Sequence, residues 1–377
     1  MRLRKVYITE DETVSGTGTL IKDLDFTDPV RAIIIGFTGK RYDHTDTNNP
    51  LILRDINKIE IVDGSDVLFS LSGTQAGANM LYHTGKRPLL TVTCNKFSVN
   101  YNQVKILFGR NESDSEYGLD LTHFTNPQLK ITYSFTEGST GQWASNEQKV
   151  TIAALVAEGA PKPIGFFMTK EIYAWSKASS GDETIDLPRD YPYRYIMLQT
   201  KDCTVPVYAG ISKVKISCDY DTFVPINETT EDLAWENINR YGMIWLQSES
   251  IGDGSDTDIK AYCQMAWNWG CDTQSWNSGQ NVVAKRPYSG YTTLGRATTG
   301  ASSGSDFTVT FLADSQRALC THYGWELFDT EVVPFGDLLS SVDWFDPKPW
   351  KSVRLILTQA QEADIASSVV LQQVRPY

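Results

Sequence analysis

Three aspartates that lie close together are the residues whose type and spacing suggest metal chemistry most directly. Asp253, Asp256 and Asp258 belong to the run Gly252-Asp253-Gly254-Ser255-Asp256-Thr257-Asp258. Carboxylate oxygens are the ligands that a hard cation such as Ca²⁺ prefers, but this spacing does not match an EF-hand loop. The sequence therefore leaves two interpretations open, a weak cation site and a solvated acidic loop, and we favour the loop.

Aromatic residues are frequent just after these aspartates. Exposed aromatic side chains can stack on sugar rings or anchor a protein–protein interface, whereas buried ones would form a small local core. We predict a partner-contacting surface and keep the local core as its alternative. The residues in question are Tyr262, Trp267, Trp269, Trp276, Tyr288 and Tyr291.

Other signatures of catalysis are missing from the sequence. His44, His83, His123 and His322 are far apart and show neither H-x-H nor H-E-x-x-H spacing. There is no G-x-S-x-G elbow and no P-loop, and nothing singles out two carboxylates for glycoside hydrolysis. We therefore predict no cofactor and no enzymatic activity.

The charge distribution argues against a general nucleic-acid-binding protein. The formal net charge of the 377-residue chain is -12, whereas phosphate contacts need clustered Lys and Arg. Residues 1–163 hold 17 Lys+Arg and 19 Asp+Glu, and the remainder holds 17 and 27, so the second half is the acidic one. Arg2, Arg4 and Lys5 form a small basic arm, either an ordinary solvated terminus or a contact for phospholipid or nucleic acid.

Six cysteines without Cys-x-x-Cys spacing favour a reducing compartment. No apolar run approaches the roughly 20 residues needed to cross a bilayer, and the basic start is followed by no apolar segment typical of a secretory signal. The cysteines are Cys94, Cys203, Cys218, Cys263, Cys271 and Cys320.

An alternating segment, Ile56 to Ile61, is echoed by Ile211 to Ile216. The period of two is typical of a half-buried β-strand. Further echoes keep the same order along the chain, with offsets of 166 to 163 before this strand, 155 within it and 224 near the ends. Drifting offsets with preserved order indicate two copies of one β-unit with loops of different length. The flanking echoes pair Val6-Tyr7 with Ile172-Tyr173, Pro29 to Ile33 with Pro192 to Ile196, and Lys130 with Arg354.

The elements that would position these residues are mostly short strands. The first unit, residues 1–158, contains roughly eight strand-like runs, with Thr74 to Thr84 as a loop or short helix. Residues 159–165 contain Pro161 and Pro163 and form the predicted linker, because proline cannot donate to a β-ladder. The second unit spans residues 166–377. Such runs with turn signals predict an all-β protein of two tandem units, each a β-sandwich or jelly roll.

Two features distinguish the second unit. A helix is predicted from Glu231 to Tyr241, with Thr229 or Thr230 as its cap and Gly242 at its end. A long insertion follows, which we place at about residues 249–305. A loop of this length needs a reason, and we interpret it as a projecting surface that meets a partner.

The pattern resembles the double jelly-roll major capsid proteins of tailless icosahedral viruses, the lineage of adenovirus and membrane-containing bacteriophages. Ile56 to Gly64 followed by Phe69 to Gly73 is similar to the middle strands of the first jelly roll. The approaches to the penultimate strands are similar too: Tyr117 to Leu121 before Leu129 to Phe135, and Phe335 to Leu339 before Val353 to Thr358.

This resemblance implies a structural protein of the virion. Such proteins form homotrimers whose six jelly rolls make pseudo-hexagonal capsomers, with loops that project outward as towers. The insertion would be a tower, the acidic second unit would face outward, and Arg2, Arg4 and Lys5 would face an interior membrane or genome. Partners would be the protein itself, neighbouring capsomers, and minor capsid and vertex proteins, with an internal membrane as a further candidate and no sequence-specific nucleic acid. Assembly would take place in the host cytoplasm.

Two other classes of function stay open from the sequence. A carbohydrate- or receptor-binding β-sandwich, such as a phage spike or lectin-like protein, would use the aromatic tract. A glycan hydrolase would need a carboxylate pair in a cleft.

Overall fold

The computed structural model describes most of the chain. For residues 92–93, 248–253, 259–262, 265–275, 282–284, 291–294 and 314–320 it describes the backbone alone. The described residues are 2–42, 51–93, 97–138, 142–200, 206–253, 259–262, 265–275, 282–284, 291–294, 314–360 and 365–377.

The first half of the chain is built from strands and one long helix. They are β1 (Arg2–Val14), β2 (Thr17–Asp23), β3 (Val30–Arg41), β4 (Ile56–Asp63), β5 (Asp66–Leu71), α1 (Gly73–Thr84), β6 (Leu89–Leu90), β7 (Val92–Thr93), β8 (Val99–Leu107), β9 (Pro127–Ser134) and β10 (Trp143–Glu158), with 3-10 helices at Ile52–Asp55 and Leu121–His123.

The second half repeats this order and adds further strands. Its elements are β11 (Gly165–Lys177), β12 (Asp182–Asp186), β13 (Tyr193–Thr200), α2 (Val207–Gly210), β14 (Ile211–Cys218), β15 (Phe223–Thr229), α3 (Thr230–Tyr241), β16 (Ile244–Asp253), β17 (Ile259–Tyr262), β18 (Met265–Ser275), β19 (Val282–Ala284), β20 (Tyr291–Leu294), β21 (Asp314–Leu327), β22 (Thr330–Pro334), β23 (Val353–Gln359) and β24 (Ile365–Pro376).

Each half forms a two-sheet sandwich with the same strand order. In the first half the sheets are β1-β10-β3-β8, extended by β6, and β2-β9-β4-β5. In the second half the corresponding orders are β11-β24-β13-β22 and β12-β23-β14-β15. Apart from the hairpins β4–β5 and β14–β15, successive strands of each sandwich alternate between the facing sheets, which is jelly-roll topology. The predicted double jelly roll is therefore confirmed.

The duplication extends to the irregularities of the ladders. The β1–β10 ladder has a bulge between Tyr7 and Thr9, and the β11–β24 ladder has one between Glu171 and Tyr173. Superimposing these bulges gives an offset of 164 for the first strand. The predicted echo of Val6-Tyr7 in Ile172-Tyr173, with an offset of 166, is therefore two residues out of register. A two-residue slip keeps every side chain on its face, so alternation alone cannot detect it.

The central strands confirm their predicted register, and the penultimate strands correct theirs. A bulge between Ile56 and Lys58 on β4 corresponds to one between Ile211 and Lys213 on β14, which is the predicted offset of 155. Across these ladders Ile61 pairs with Leu129 and Ile216 pairs with Leu355. The offset between β9 and β23 is therefore 226, where the sequence suggested 224.

The cores lie between the sheets of each sandwich. β3 is almost entirely buried along its length, as its continuous apolar run predicts. Its inward side chains Ile33, Ile35 and Phe37 belong to the same buried cluster as Ile59 and Ile61 of β4. Burial of these aliphatic residues from both sheets is the main stabilising contribution of the sandwich.

The helices begin where their capping residues predict. In α1 the Ser72 hydroxyl accepts the backbone N–H of Gln75, and the Gln75 side chain accepts the Ser72 N–H, which is a capping box. The segment predicted as a loop or short helix is thus a three-turn helix. In α3, Thr229 caps the backbone N–H of Asp232 and the helix ends at Gly242, as predicted.

The two sandwiches are joined in one continuous sheet. β10 ends at Glu158 and β11 begins at Gly165. β5 pairs in parallel with β11, with Phe69 opposite Thr169 and Ser70 opposite Lys170, and this fuses four strands from each half into eight. The division into residues 1–158, 159–165 and 166–377 stays a proposal beside this shared sheet.

The long insertion begins and returns on neighbouring strands. β16 pairs with β21 from Ile244 opposite Gly324 to Asp253 opposite Asp314, and β18 lies on the other side of β21. β7 of the first half pairs in parallel with β16. Much of the predicted segment 249–305 lies outside the described residues, so only its strands are located.

Candidate functional site

The candidate cation site falls where the structure gives little detail. The backbone of Asp253 ends β16, whereas Asp256 and Asp258 lie outside the described residues. Within the part of the chain that is described, no group of three His, Cys, Asp or Glu residues is placed to hold a metal ion. The structure therefore does not test the two interpretations of these aspartates, and the solvated acidic loop stays our prediction.

The three described histidines take part in packing and hydrogen bonding. His83 is buried in α1 with its Nε2 2.8 Å from the carbonyl oxygen of Gly109, and burial together with Arg194 lowers its pKa well below the usual value. Burial also lowers the pKa of His322 to about 4. The ring of His123 stacks on Tyr377 with centroids 4.3 Å apart. His44 lies outside the described residues.

The aromatic tract is located only by its backbone. Trp267 and Trp269 lie on β18 and Tyr291 lies on β20, while Trp276 and Tyr288 lie outside the described residues. Their role as a partner surface stays a prediction. The reducing compartment suggested by the six cysteines also stays a prediction. Among the described cysteines, Cys218 is a buried free thiol, and burial raises its pKa to about 11.

The basic segment forms part of a sheet. Arg2, Arg4 and Lys5 are exposed residues of β1, which pairs with β10 from its first residue. Arg4 forms an ion pair with Glu158, and the Lys5 ammonium lies 4.6 Å from the centroid of the Tyr7 ring. These residues are therefore the start of an edge strand, and their predicted role, a solvated terminus or a contact for phospholipid or nucleic acid, stays a prediction.

Buried and half-buried polar side chains form a hydrogen-bonded junction between the two sandwiches. Helix α1 of the first half lies against the sheet of β11, β24 and β13 in the second. Gln75 Nε2 donates to Glu171 Oε2 at 2.5 Å and to Ser368 Oγ at 2.9 Å. Because Gln75 also belongs to the capping box of α1 with Ser72, the start of the helix is fixed to the second half.

The next turn of α1 continues this network. The Tyr195 hydroxyl donates to Asn79 Oδ1, and Gln372 Nε2 donates to the Tyr195 hydroxyl at 2.9 Å and to Thr169 Oγ1 at 2.8 Å. All four residues are buried. Buried polar groups that satisfy one another specify a unique arrangement of the elements that carry them.

Arg194 is the buried cation of the junction. Its Nε and Nη2 donate to the carbonyl oxygen of Leu338 at 3.2 and 2.8 Å, and its Nη1 donates to Gln372 Oε1. Its guanidinium carbon lies 4.0 Å from the centroid of the Phe167 ring. Burial lowers the pKa of Arg194 to about 10, so it is charged at neutral pH.

A pair of buried carboxyls, Glu326 on β21 and Glu331 on β22, flanks the turn between these two strands. Glu331 accepts hydrogen bonds from Trp325 Nε1 at 3.0 Å and from Asn237 Nδ2. Glu326 Oε2 accepts the backbone N–H of Val207 at 2.6 Å. Burial, with smaller contributions from neighbouring charges, raises the pKa of Glu326 well above its usual value, and burial raises that of Glu331 to about 8.

A cleft of about 770 Å³ opens at the seam where β5 meets β11. Its charged lining contains both signs, including Lys58, Glu60, Asp66, Lys170 and Arg375. Burial lowers the pKa of Lys170, and Asp66 opposes that effect. Within the cleft Asp66 is paired with Arg375, and Lys58 is paired with Glu60.

Sequence reasoning did not identify this junction. The capping box Ser72-x-x-Gln75 was readable as a helix start, and it would have placed α1. The sequence did not predict the docking partner of α1, because its contacts join residues 96 to 293 positions apart.

No helix in the described ranges is long and apolar enough to span a membrane.

Comparison with known proteins gives likeness in structure without likeness in sequence. No family model and no curated protein matches the chain. The MCP of STIV is 13% identical with a TM-score of 0.58, covering 100% of this chain and 98% of that one. The atomic structure of Sulfolobus Turreted Icosahedral Virus gives 12% identity, a TM-score of 0.61 and coverages of 100% and 92%. The major capsid protein of bacteriophage PM2 gives 10% identity, a TM-score of 0.54 and coverages of 100% and 98%.

These likenesses extend over the whole chain and agree with the strand order described above. They establish the double jelly-roll fold. The hypothesis of a carbohydrate- or receptor-binding protein gains no support from these neighbours.

Proposed function

We propose that this protein is a structural major capsid protein, which trimerises into pseudo-hexagonal capsomers that tile an icosahedral shell. The observation that carries the proposal is the end-to-end likeness of its fold to viral capsid proteins of STIV and PM2. Sequence identity of 10 to 13% supports the fold alone, so the function is inferred from architecture. We propose no enzymatic activity and no cofactor.

The polar junction supports this role physically. A shell needs building blocks that keep their shape while large surfaces associate. Helix α1 and the shared sheet of β5 and β11 hold the two sandwiches in one fixed arrangement, through the contacts of Gln75 with Glu171 and Ser368 and of Tyr195 with Asn79. A block with two similar units can form a six-unit ring from three copies, and closed symmetric rings avoid open-ended aggregation.

Further partners and the location follow from the same role. We propose that the protein resides in the capsid shell of a virion after assembly in the host cytoplasm, beside minor capsid and vertex proteins, with an internal membrane as a further candidate partner. We also propose that the insertion of about residues 249–305 projects outward as a tower with its aromatic tract, including Trp267 and Trp269, as a contact surface.

The test of the proposed function is the native mass of the purified protein, measured by light scattering after gel filtration. A capsid subunit gives a stable species of three times the 42.2 kDa chain mass, or assemblies of that species. Electron microscopy of the same sample should then show pseudo-hexagonal blocks. A species of one chain mass over the working concentration range would contradict the proposal, and a glycan array would become the next experiment.

A further inference from the structure

The duplication makes the internal junction a template for a contact between copies. Within one chain, the strand–helix pair β5–α1 of the first half docks on the β11 edge of the second half. The equivalent pair in the second half is β15–α3, and the equivalent edge in the first half is β1. Both β15 and β1 are the end strands of their sheets as described. This inference rests on the proposed function, since it assumes that copies associate.

The equivalence of the two strand–helix pairs is fixed by three independent landmarks. The ladder partners of β4 and β14 align Phe69 with Ile226, an offset of 157. The same offset aligns the N-caps Ser72 and Thr229. It also aligns His83 with Arg240.

The third landmark is a hydrogen bond at the far end of each helix. His83 Nε2 lies 2.8 Å from the carbonyl oxygen of Gly109, and Arg240 Nη1 donates to the carbonyl oxygen of Gly336 at 3.1 Å. The ladders of β8 and β22 align these two glycines independently, through the pairing of Leu107 with Ala32 and of Pro334 with Tyr195.

The docking face of α1 is covered, whereas its counterpart on α3 is exposed. Gln75 and Asn79 are 0% and 1% exposed, because the second sandwich covers them. The equivalent residues Asp232 and Glu236 are exposed, and between them Trp235 is 45% exposed. An apolar side chain of this size flanked by carboxylates is typical of a surface that is covered on association.

The receiving surface on the first half has the complementary character. The offset of 164 places Lys5 where Thr169 stands and Tyr7 where Glu171 stands. Tyr7 is 49% exposed and Lys5 is exposed beside it. On the same outer face of the sheet, Ile34 and Leu155 are only half-buried, although the equivalent positions in the second half are covered by α1.

The charges on the two surfaces are opposite. β1 begins with exposed Arg2, Arg4 and Lys5, whereas Glu228, Glu231, Asp232 and Glu236 lie on β15 and α3. Burial, and then the like charges of Glu236 and Asp232, raise the pKa of Glu228. Glu228 therefore lies in an acidic environment that a neighbouring cation would relieve.

We propose that β15 and α3 of one copy dock on the β1 edge of the next copy, with Lys5 opposite Ile226 and its ammonium beside Glu228. The contact is heterologous, because different surfaces of the two copies meet, so it closes into a ring when each copy uses both surfaces. It assigns the basic residues of β1 to a second copy of this chain. Their contact with an interior membrane or genome is the competing assignment.

The test is a charge swap in the full chain, read by the concentration at which the trimer dissociates. Lys5→Glu and Glu228→Lys should each raise that concentration about tenfold or more, because close charge pairs at interfaces couple strongly. The double variant should bring the dissociation concentration most of the way back to the wild-type value. Both sites tolerate the change: Lys5 is exposed, and Glu228→Lys removes a like-charge contact. Lys351→Glu, an exposed lysine on a loop before β23, is the matched control.

Each outcome separates this inference from the proposed function. Wild-type protein of one chain mass contradicts the proposed function itself. If the wild type is a trimer and neither single variant weakens it, the proposed function stands and the docking is wrong. The docking is also wrong if both single variants weaken the trimer and the double variant does not restore it. If Lys5→Glu instead abolishes binding to phosphatidylserine vesicles while the trimer is unchanged, the basic edge serves a membrane and the docking is wrong.

A covalent measurement does not depend on electrostatics. The proposed pairing places the Cα atoms of Lys5 and Ile226 at about the 4.8 Å separation of adjacent strands, which a disulfide can bridge. A chain with Lys5→Cys and Ile226→Cys should run as a covalent trimer after oxidation on a denaturing gel, and each single variant should not. If the double-cysteine chain forms a trimer in solution as the wild type does but gives no covalent trimer after oxidation, the proposed register is wrong.

Discussion

Asp66 and Arg375, which are 309 positions apart in the chain, form a bidentate ion pair across the seam between the two sandwiches. Arg375 Nη1 donates to Asp66 Oδ1 at 2.8 Å and Nη2 donates to Oδ2 at 2.6 Å. This fork-like geometry is the strongest that an arginine and a carboxylate can make. The hydrogen bond from Arg375, opposed by partial burial, lowers the pKa of Asp66.

The first prediction concerns this pair. Because the folded pKa of Asp66 lies below its unfolded value, the pair stabilises the protein above the unfolded pKa near 4, and this stability is lost as pH falls through the folded pKa. Arg375→Ala should lower the free energy of unfolding at pH 7 by about 1 kcal/mol, since solvent screens a partly exposed pair. Urea unfolding at pH 7 and pH 3 measures both effects. Arg354→Ala, which removes the exposed pair with Asp186 inside the second half, is the control and should cost less.

The second prediction concerns the buried carboxyls Glu326 and Glu331. Both carboxyls have a higher pKa in the folded state than in the unfolded state, so they bind their protons more tightly when the protein is folded. Their contribution to the free energy of unfolding is therefore fully present below the unfolded pKa near 4.5 and falls as pH rises toward 8. Each therefore makes the free energy of unfolding fall as pH rises through that window. Glu326→Gln keeps the acceptor for Val207 and should roughly halve the slope. Chemical unfolding at pH 5, 6.5 and 8 measures it, with the exposed Asp25→Asn as control; an unchanged slope would contradict the assignment.

The third prediction concerns Arg194, the buried cation of the junction. Arg194→Met fills a similar volume but leaves the carbonyl oxygen of Leu338 and the side chain of Gln372 without their donor. Buried polar groups that lose their partner cost about 1–3 kcal/mol each. We expect a loss of about 3 kcal/mol in the free energy of unfolding. Arg189→Met, at an exposed arginine that donates to the carbonyl oxygen of Trp350 at 2.5 Å, should change it by less than about 1 kcal/mol.

The fourth prediction concerns a glycine at the first position of α1. Replacing glycine by alanine in a helix normally stabilises it by about 1 kcal/mol. At Gly73, however, an added Cβ would lie 2.4 Å from the carbonyl oxygen of Leu53 and 2.8 Å from the Cβ of Ile56. Gly73→Ala should therefore lower the thermal unfolding midpoint, since backbone cannot move aside cheaply. A higher midpoint would show that α1 does not approach Leu53 this closely.

Local patterns in the sequence determined the strands and the repeat. Ile56 to Ile61 and Ile211 to Ile216 alternate at a period of two, and they lie in β4 and β14 at the predicted offset of 155. The cap Thr229 and the terminal Gly242 fixed α3 in the same way. These features are set by neighbours within a few positions along the chain, so the residues themselves carry the information.

The tertiary structure alone decided the register, α1 and the junction. The offsets at β1 and β9 were two residues out, because a slip of two preserves the face of every side chain. Gly73 and Gly77 lower the helix propensity of the α1 segment, and its sequence alone predicts no more than a loop or short helix. Both glycines have a tertiary reason, as Cβ atoms there would meet Leu53 and Phe328.

The junction itself depends on contacts between distant parts of the chain. Gln75 meets Ser368 from 293 positions away, and Asp66 meets Arg375 from 309. The parallel pairing of β5 with β11 is of the same kind. One sequence defines which residues can form such contacts, but the choice among possible partners is made by the packing of the two sandwiches as whole bodies. The alternating strands were therefore readable in advance, and the surfaces that the strands bring together were not.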